Sequence, residues 1–378
     1  MRSSCMLIAV ALVAQLACRP IAGISPSKPD AQNAPSQLAI DSMRDLRLFG
    51  QGGDLQDISF EQKAAVNVLQ HTTASEGADF DPVVDPAGRQ LAFSSTRHSR
   101  FSHIYTKSID GTAITQLTDG RANDAQPTFS PDGKRIAFAS DRSGNWDIWA
   151  MDTTGRSATQ LTTSPMAELH PSWSPDGKRL VYCKLNPKDA GGELWIVELD
   201  NPGAKRLIGE GLFPAWSPKG DKIAFQRARQ RGSRWFSLWT ISLDDDEPGP
   251  PTEVIGSPDA AYIAPCWSAD GAQLAFACIV PTAHEATTLE PRPQATARAD
   301  IAMIDADGRG MVRLTNGRGE NYSPSWSSED RIFFTARHEG SETIWSVKPF
   351  RPTVAPLLPA PAPISRHAAQ AHDDDSEP

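Results

Sequence analysis

Cysteine is scarce in this sequence, with five in 378 residues, and only Cys183, Cys266 and Cys278 fall in the stretch with regular apolar patterning. An odd number excludes a fully paired disulfide set. Cys266 falls on a first strand of the repeat described below and Cys278 ends a second strand, out of register for a direct bridge. Without zinc spacing either, the three read as small buried fillers. Cationic excess is also lacking: the net charge is −9, which argues against a protein that binds nucleic acid over its whole surface. The amino-terminal apolar run, Met6 to Ala14, is too short to span a bilayer and reads as an export signal. No Gly-x-Ser-x-Gly elbow, His-Glu-x-x-His helix or phosphate-binding glycine loop occurs.

What the sequence has in quantity is turns and one recurring unit. Asp124 to Thr162 spans 39 residues and contains Ser130-Pro131-Asp132-Gly133 between two apolar runs, then Asp147-Ile148-Trp149 and Gln160-Leu161-Thr162. Proline presets φ in such a turn, aspartate bonds local backbone, and glycine takes the left-handed position, so the flanking runs form a hairpin. A second turn at Asp152 to Gly155 adds two strands, which makes a four-stranded antiparallel meander. Copies marked by Pro82, Pro127, Pro171, Pro214, Pro265 and Pro324 follow one another at steps of 45, 44, 43, 51 and 59 residues. Six copies at this period predict an all-β fold, a six-bladed β-propeller of four-stranded antiparallel blades. Trp173, Trp216, Trp267 and Trp326 share one position on the first strand, and Trp149, Trp195, Trp239 and Trp345 share one on the third. These tryptophans read as filling between blades, so no aromatic cage is read into them.

Residues 1–22 read as the export signal, 23–60 as a tether and rim segment, 61–349 as the propeller, and 350–378 as a disordered Pro/Ala-rich acidic tail. Gln15-Leu16-Ala17-Cys18 resembles a bacterial lipobox, which makes Cys18 a lipidation candidate; ordinary cleavage near Ala17 or Ala22 is the other reading. Gln70-His71-Thr72-Thr73 matches the outer-strand ending Gln160-Leu161-Thr162-Thr163. The sixth copy reaches Ile344-Trp345-Ser346-Val347 and then runs into prolines with no outer strand of its own. The N-terminal segment therefore supplies the missing strand and closes the ring.

Ser-Pro-Asp-Gly-Lys-Arg in the second and third copies, with Ser140-Asp141-Arg142 and Asp147-Ile148-Trp149, resembles the propeller repeats of the TolB family. Weaker copies extend the resemblance from about Val66 to Pro349. TolB itself carries an α/β domain ahead of its propeller, whereas fewer than fifty residues here separate the signal from the closing strand. The export signal and the resemblance together imply an exported, periplasmic protein; with Arg19 following Cys18, a lipidated form resembles lipoproteins sent to the outer membrane. A monomer is expected.

Residues three and one before each marker proline should share a face by strand alternation and point to the channel mouth. Asp79, Asp81, Asp124, Gln126, Glu168, His170, Phe213, Tyr262 and Asn321 are the candidates there. A basic rim of second-to-third loops surrounds them: Arg97, Arg142, Arg227, Arg229, Arg231 and Arg234. For Arg142 and its like the plainer reading is a local pair with Asp141 or Asp147. An amphoteric mouth suits a peptide or protein partner of the cell envelope, with carboxylates taking Lys or an amino terminus, arginines taking acids, and Phe213 or Tyr262 as an apolar anchor. TolB-type propellers bind partner segments at this mouth, which the resemblance implies. No catalytic residue and no cofactor is expected. The rival reading is a metal-dependent, lyase-like carbohydrate enzyme, with Asp79, Asp81, Asp124, Glu168 and His170 around a divalent cation. A purely structural envelope protein is the third.

Overall fold

The computed structural model describes residues 61–62, 66–74, 76–185, 192–228, 236–244, 247–281, 297–315, 319–338 and 341–350. The export signal, Cys18, the tether and the acidic tail lie outside the described residues. What is described is a propeller of antiparallel four-stranded blades. Asp79–Val84, Gln90–Ser95, His103–Ser108 and Ile114–Gln116 form one sheet, and Asp124–Phe129, Arg135–Ser140, Asp147–Asp152 and Thr159–Gln160 the next. Glu168–Trp173 to Lys205–Glu210 form a third, and Leu212–Trp216 to Thr252–Ile255 a fourth, with the short strand Glu247–Pro248 at its edge. The remaining strands belong to one nine-stranded sheet, in which the fifth and sixth repeats are joined by the single parallel pair Ala299↔Glu320.

The hairpin turns follow from their side chains. Ser130 Oγ donates to Asp132 Oδ1 at 2.6 Å, and the main-chain N–H groups of Lys134 and Arg135 are taken up by Asp132 Oδ1 and Ser130 Oγ. Gly133 has φ of 69°, a conformation that a Cβ would strain. Ser174 and Asp176, and Ser268 and Asp270, repeat the arrangement. Where aspartate is missing from the third position, in Ser217-Pro218-Lys219-Gly220, Ser217 Oγ bonds Asp221 instead.

In four of the repeats a threonine just after the outer strand locks the third strand. Thr118, Thr162 and Thr315 accept the main-chain N–H of Ile104, Ile148 and Ile301 at 2.9 to 3.0 Å. Thr72 does the same for Ile344 at 3.0 Å, and His71 N–H donates to Ile344 O as Leu161 N–H does to Ile148 O. Val66–Gln70 pairs antiparallel with Ser341–Lys348, Gln70 standing opposite Trp345. Upstream of it, Glu61–Gln62 pairs in parallel with Val312–Arg313.

Packing between blades uses the repeated tryptophans. Trp173 Nε1 donates to Thr128 O and Trp267 Nε1 to Ala215 O, each reaching the first strand of the preceding repeat. Arg135 and Arg179 lie 4.8 and 5.1 Å from the ring centres of Trp173 and Trp216, which places a guanidinium over an indole of the next repeat. Cys183 and Cys278 are buried and all three described cysteines are free.

Candidate functional site

The first strand of every repeat carries the same backbone irregularity. Asp81, Gln126, His170, Phe213, Ala264 and Ser323 all have positive φ, between 48° and 58°. Each precedes a marker proline, a context that ordinarily drives a residue to extended geometry. Ladder registers jump by one residue at each of these dipeptides, so two residues oppose one. That one is always a ring: Phe93, Phe138, Tyr182, Phe225, Phe276 or Phe334. None is more than 2% exposed. A left-handed non-glycine residue costs on the order of 1–3 kcal/mol, and the buried ring filling the space beneath each bulge offsets it.

The bulges also tie neighbouring repeats together. The N–H of Gln126 donates to Ser94 Oγ, that of His170 to Gln126 Oε1 at 2.8 Å, that of Ala264 to Gln226 Oε1, and that of Asp81 to Thr335 Oγ1. Every partner belongs to the preceding repeat, the last link running from the sixth to the first.

One cavity of about 140 Å3 is lined by the bulge residue and proline of all six repeats. Of the nine positions expected at the channel mouth, Asp81, Gln126, His170 and Phe213 line it. Asp79, Asp124, Glu168, Tyr262 and Asn321 do not; all five are at most 5% exposed. The physical reason is the bulge: the extra residue breaks the alternation that would have set positions three and one before the proline on a common face.

Two of the three carboxylates that fail to reach the cavity are paired with arginines. Asp79 accepts from Arg97 at 2.6 Å and from Ser95 Oγ, and Asp124 accepts from Arg142 at 2.8 Å. Arg142 thus pairs with neither Asp141, which holds Asn123, nor Asp147, which holds Ser143 and Gln160. Burial pushes the Asp124 carboxyl up, but hydrogen bonds from His103, Ser140 and Arg142 and the guanidinium charge outweigh it, and the net shift is downward. Glu168 is raised, by burial first and by Asp147, against opposition from Thr162 and from Lys205 and Lys184. Tyr262 stands edge-on to Phe276, with its hydroxyl pushed up to about 12 by burial. Asn321 donates to Thr315. In the basic rim, Arg227 reaches Glu210 at 3.0 Å; Arg229, Arg231 and Arg234 lie outside the described residues.

A divalent cation fits this donor set poorly. Two of the five carboxylate and histidine candidates are committed to arginines, and no group of three or more His, Cys, Asp or Glu side chains is placed to hold a metal among the described residues.

Inside the cavity, His170 stacks on Phe213 with centroids 3.7 Å apart. Burial drives its imidazolium down to about 3, so the ring is neutral in ordinary buffers. Gln126 Oε1 accepts the His170 N–H, so its amide nitrogen is the group 3.3 Å from Nε2; an amide nitrogen donates, which leaves the ring proton on Nδ1. Asp81 is different. Ser323 Oγ donates to its Oδ1 at 3.1 Å, and burial raises the carboxyl to about 7, with Glu342 adding to the shift and Ser323 and the Gln126 N–H opposing it.

A titration effect follows. The native state holds a proton on Asp81 that the unfolded chain releases near pH 4, so stability falls as pH rises from about 4 to about 7. Asp81→Asn removes the loss, and asparagine also accepts left-handed φ. The variant is expected to be more stable than wild type by about 2 kcal/mol at pH 8, a figure discounted for water in the cavity, with no such gain at pH 4. Urea unfolding at the two pH values measures it; a pH-independent difference would remove the titration account.

A second, larger crevice of about 490 Å3 lies at the turn side, among Ser217, Lys219, Lys222, Trp267 and Asp305, away from the bulges.

The family model described as TolB beta propeller domain matches residues 54–246. The chain belongs to the TolB β-propeller family. Among solved structures, a protein assigned as TolB from Agrobacterium tumefaciens is similar at 20% identity and a TM-score of 0.53, over 72% of this chain and 91% of that one. A gluconolactonase from Xanthomonas campestris gives 14% identity and a TM-score of 0.54, over 74% of this chain and 89% of that one. An oligogalacturonate lyase from Vibrio parahaemolyticus gives 12% and 0.50, over 77% and 96%. At these identities the likeness is one of fold alone, which serves binding proteins and enzymes of unrelated chemistry. No curated protein sequence matches the chain.

Sequence reasoning missed the bulges, because x-Pro argues for extended backbone. The signal available to it was a ring in the second strand of all six copies.

Proposed function

We propose that this chain is an exported TolB-like propeller of six blades, its ring closed by Val66–Gln70 on the last blade, which binds a peptide or protein partner of the bacterial cell envelope. Binding takes place through the cavity lined by the six bulges. The observation that carries this reading is a contrast within the repeats. Turns, rings and prolines are held nearly constant from copy to copy, while the residue on each bulge is Asp81, Gln126, His170, Phe213, Ala264 or Ser323. A scaffold needs one residue type at a repeated backbone position; six different ones around one cavity suit recognition. Family membership supports an envelope address, and Cys18 is the site at which a lipid would tether the chain to a membrane. In this reading the propeller acts as a monomer and needs no cofactor.

Crosslinked capture from envelope extracts tests it, with the full chain as bait. Wild type is compared with Gln126→Ala/Phe213→Ala and with the turn-side control Lys219→Glu/Lys222→Glu. The cavity pair is expected to recover any specific partner at least tenfold less well while the control recovers it fully. Equal recovery by all three baits would sink the proposal.

A further inference from the structure

Asp81 stands apart from the other acids of the first strands. Asp79 and Asp124 each meet an arginine, and Glu168 lies in the field of Lys205 and Lys184. Among the described residues no lysine or arginine lines the cavity that Asp81 faces, and the remaining lining is amide, hydroxyl, neutral imidazole, phenyl, methyl and proline. Leaving a partly buried carboxylate without a cation is costly. The backbone does not require aspartate here, since Gln126, His170, Phe213, Ala264 and Ser323 adopt the same left-handed φ at the equivalent positions. Nor do the interblade bonds require a carboxylate: the N–H bond to Thr335 on the sixth repeat is open to any residue but proline, and the bond from Ser323 Oγ to Asp81 Oδ1 needs only an acceptor, which an asparagine would also supply.

Resting on the reading of this cavity as a recognition site, we propose that it is the receptor for a single primary ammonium group carried by the partner, with Asp81 as its counter-ion and the Phe213–His170 stack and Ala264 as the apolar wall for its stem. The size agrees. About 140 Å3 is below the usual range for drug-sized ligands and admits one side chain or one chain end. The neutral His170 ring contributes no repulsion, and Ser323 Oγ steadies the carboxylate through Oδ1. An entering ammonium displaces the proton that burial keeps on Asp81, so binding strengthens as pH rises through about 7. The groups that set this titration are Glu342, with Arg337 and Tyr322 beside it on the sixth repeat, the Gln126 N–H, and Ser323.

Lysine side chains and free amino termini share this chemistry, and the probes separate them. N-acetyl-lysine N-methylamide, alaninamide and the uncharged N-acetyl-norleucine N-methylamide are titrated against the full chain by NMR at pH 6 and pH 8. At least one ammonium probe is expected to bind tenfold or more tightly than the uncharged one at pH 8; between pH 8 and pH 6 the lysine probe is expected to weaken about tenfold, in proportion to the ionised fraction of Asp81, and alaninamide about fivefold, because its α-amine is itself about half deprotonated at pH 8. Asp81→Asn is expected to fold and to abolish the preference, while Lys219→Glu/Lys222→Glu keeps it. Whichever of the two charged probes binds identifies the source. Equal binding of charged and uncharged probes, or an unchanged preference in Asp81→Asn, overturns the inference. If ammonium preference is absent yet Gln126→Ala/Phe213→Ala loses partner capture, this inference fails and the recognition site stands; preference with undiminished capture leaves this inference standing and removes the envelope partner.

Discussion

Phe138→Ala is expected to destabilise the protein by about 3–5 kcal/mol in urea unfolding, the range for truncating a fully buried phenylalanine. Its ring is 0% exposed and fills the space opposite the Gln126–Pro127 bulge. It packs with Ala92, Ile104, Phe129, Ile136 and Met151, so one cluster joins the first and second repeats. Removing it leaves a void and takes away the support for a strained backbone, and the two effects add. Phe138→Leu keeps most of the volume and is expected to lose less than about 1.5 kcal/mol. A loss below about 1 kcal/mol for the alanine variant would mean that the bulge does not rest on the ring.

Arg142→Ala is expected to cost about 3 kcal/mol or more near neutral pH. The larger part comes from stranding the Asp124 carboxylate, which is 0% exposed, rather than from the lost bond itself. The pH dependence has a definite sign. In wild type the Asp124 carboxyl lies below its ordinary value, so its contribution is present above about pH 4 and is lost as pH falls through the lower folded value. The gap between wild type and Arg142→Ala should therefore narrow in acid. In an Asp124→Asn background the same arginine truncation is expected to cost less than about 1 kcal/mol, because no buried charge is left behind. Equal costs in both backgrounds would show that packing of Arg142 against Phe138 and Trp149 carries the effect.

The same pair separates what was legible in the sequence from what was not. An ion pair for Arg142 was expected, but with Asp141 or Asp147; the partner is 18 residues away across a hairpin. Nearby acids were the natural choice because sequence distance is all that a linear reading can weigh. Arg97 repeats the lesson with Asp79. The basic rim and the acidic mouth, taken for two offered surfaces, are in these two repeats one set of internal salt bridges.

Repeat period, strand order, turn chemistry, tryptophan packing and the pairing of Val66–Gln70 with the last repeat's third strand follow from the sequence by itself. Each depends on local geometry repeated in register: a proline and a glycine fix a turn, and a threonine placed after a leucine or a histidine fixes an outer strand. Which residues face the cavity was decided only in three dimensions. One left-handed residue per first strand shifts the side-chain alternation, and it is held there by a ring on the neighbouring strand and a hydrogen bond from the preceding repeat. Asp81, Gln126, His170 and Phe213 gather in one place because the first strands of different repeats line one cavity, an outcome of long-range packing that no single repeat contains.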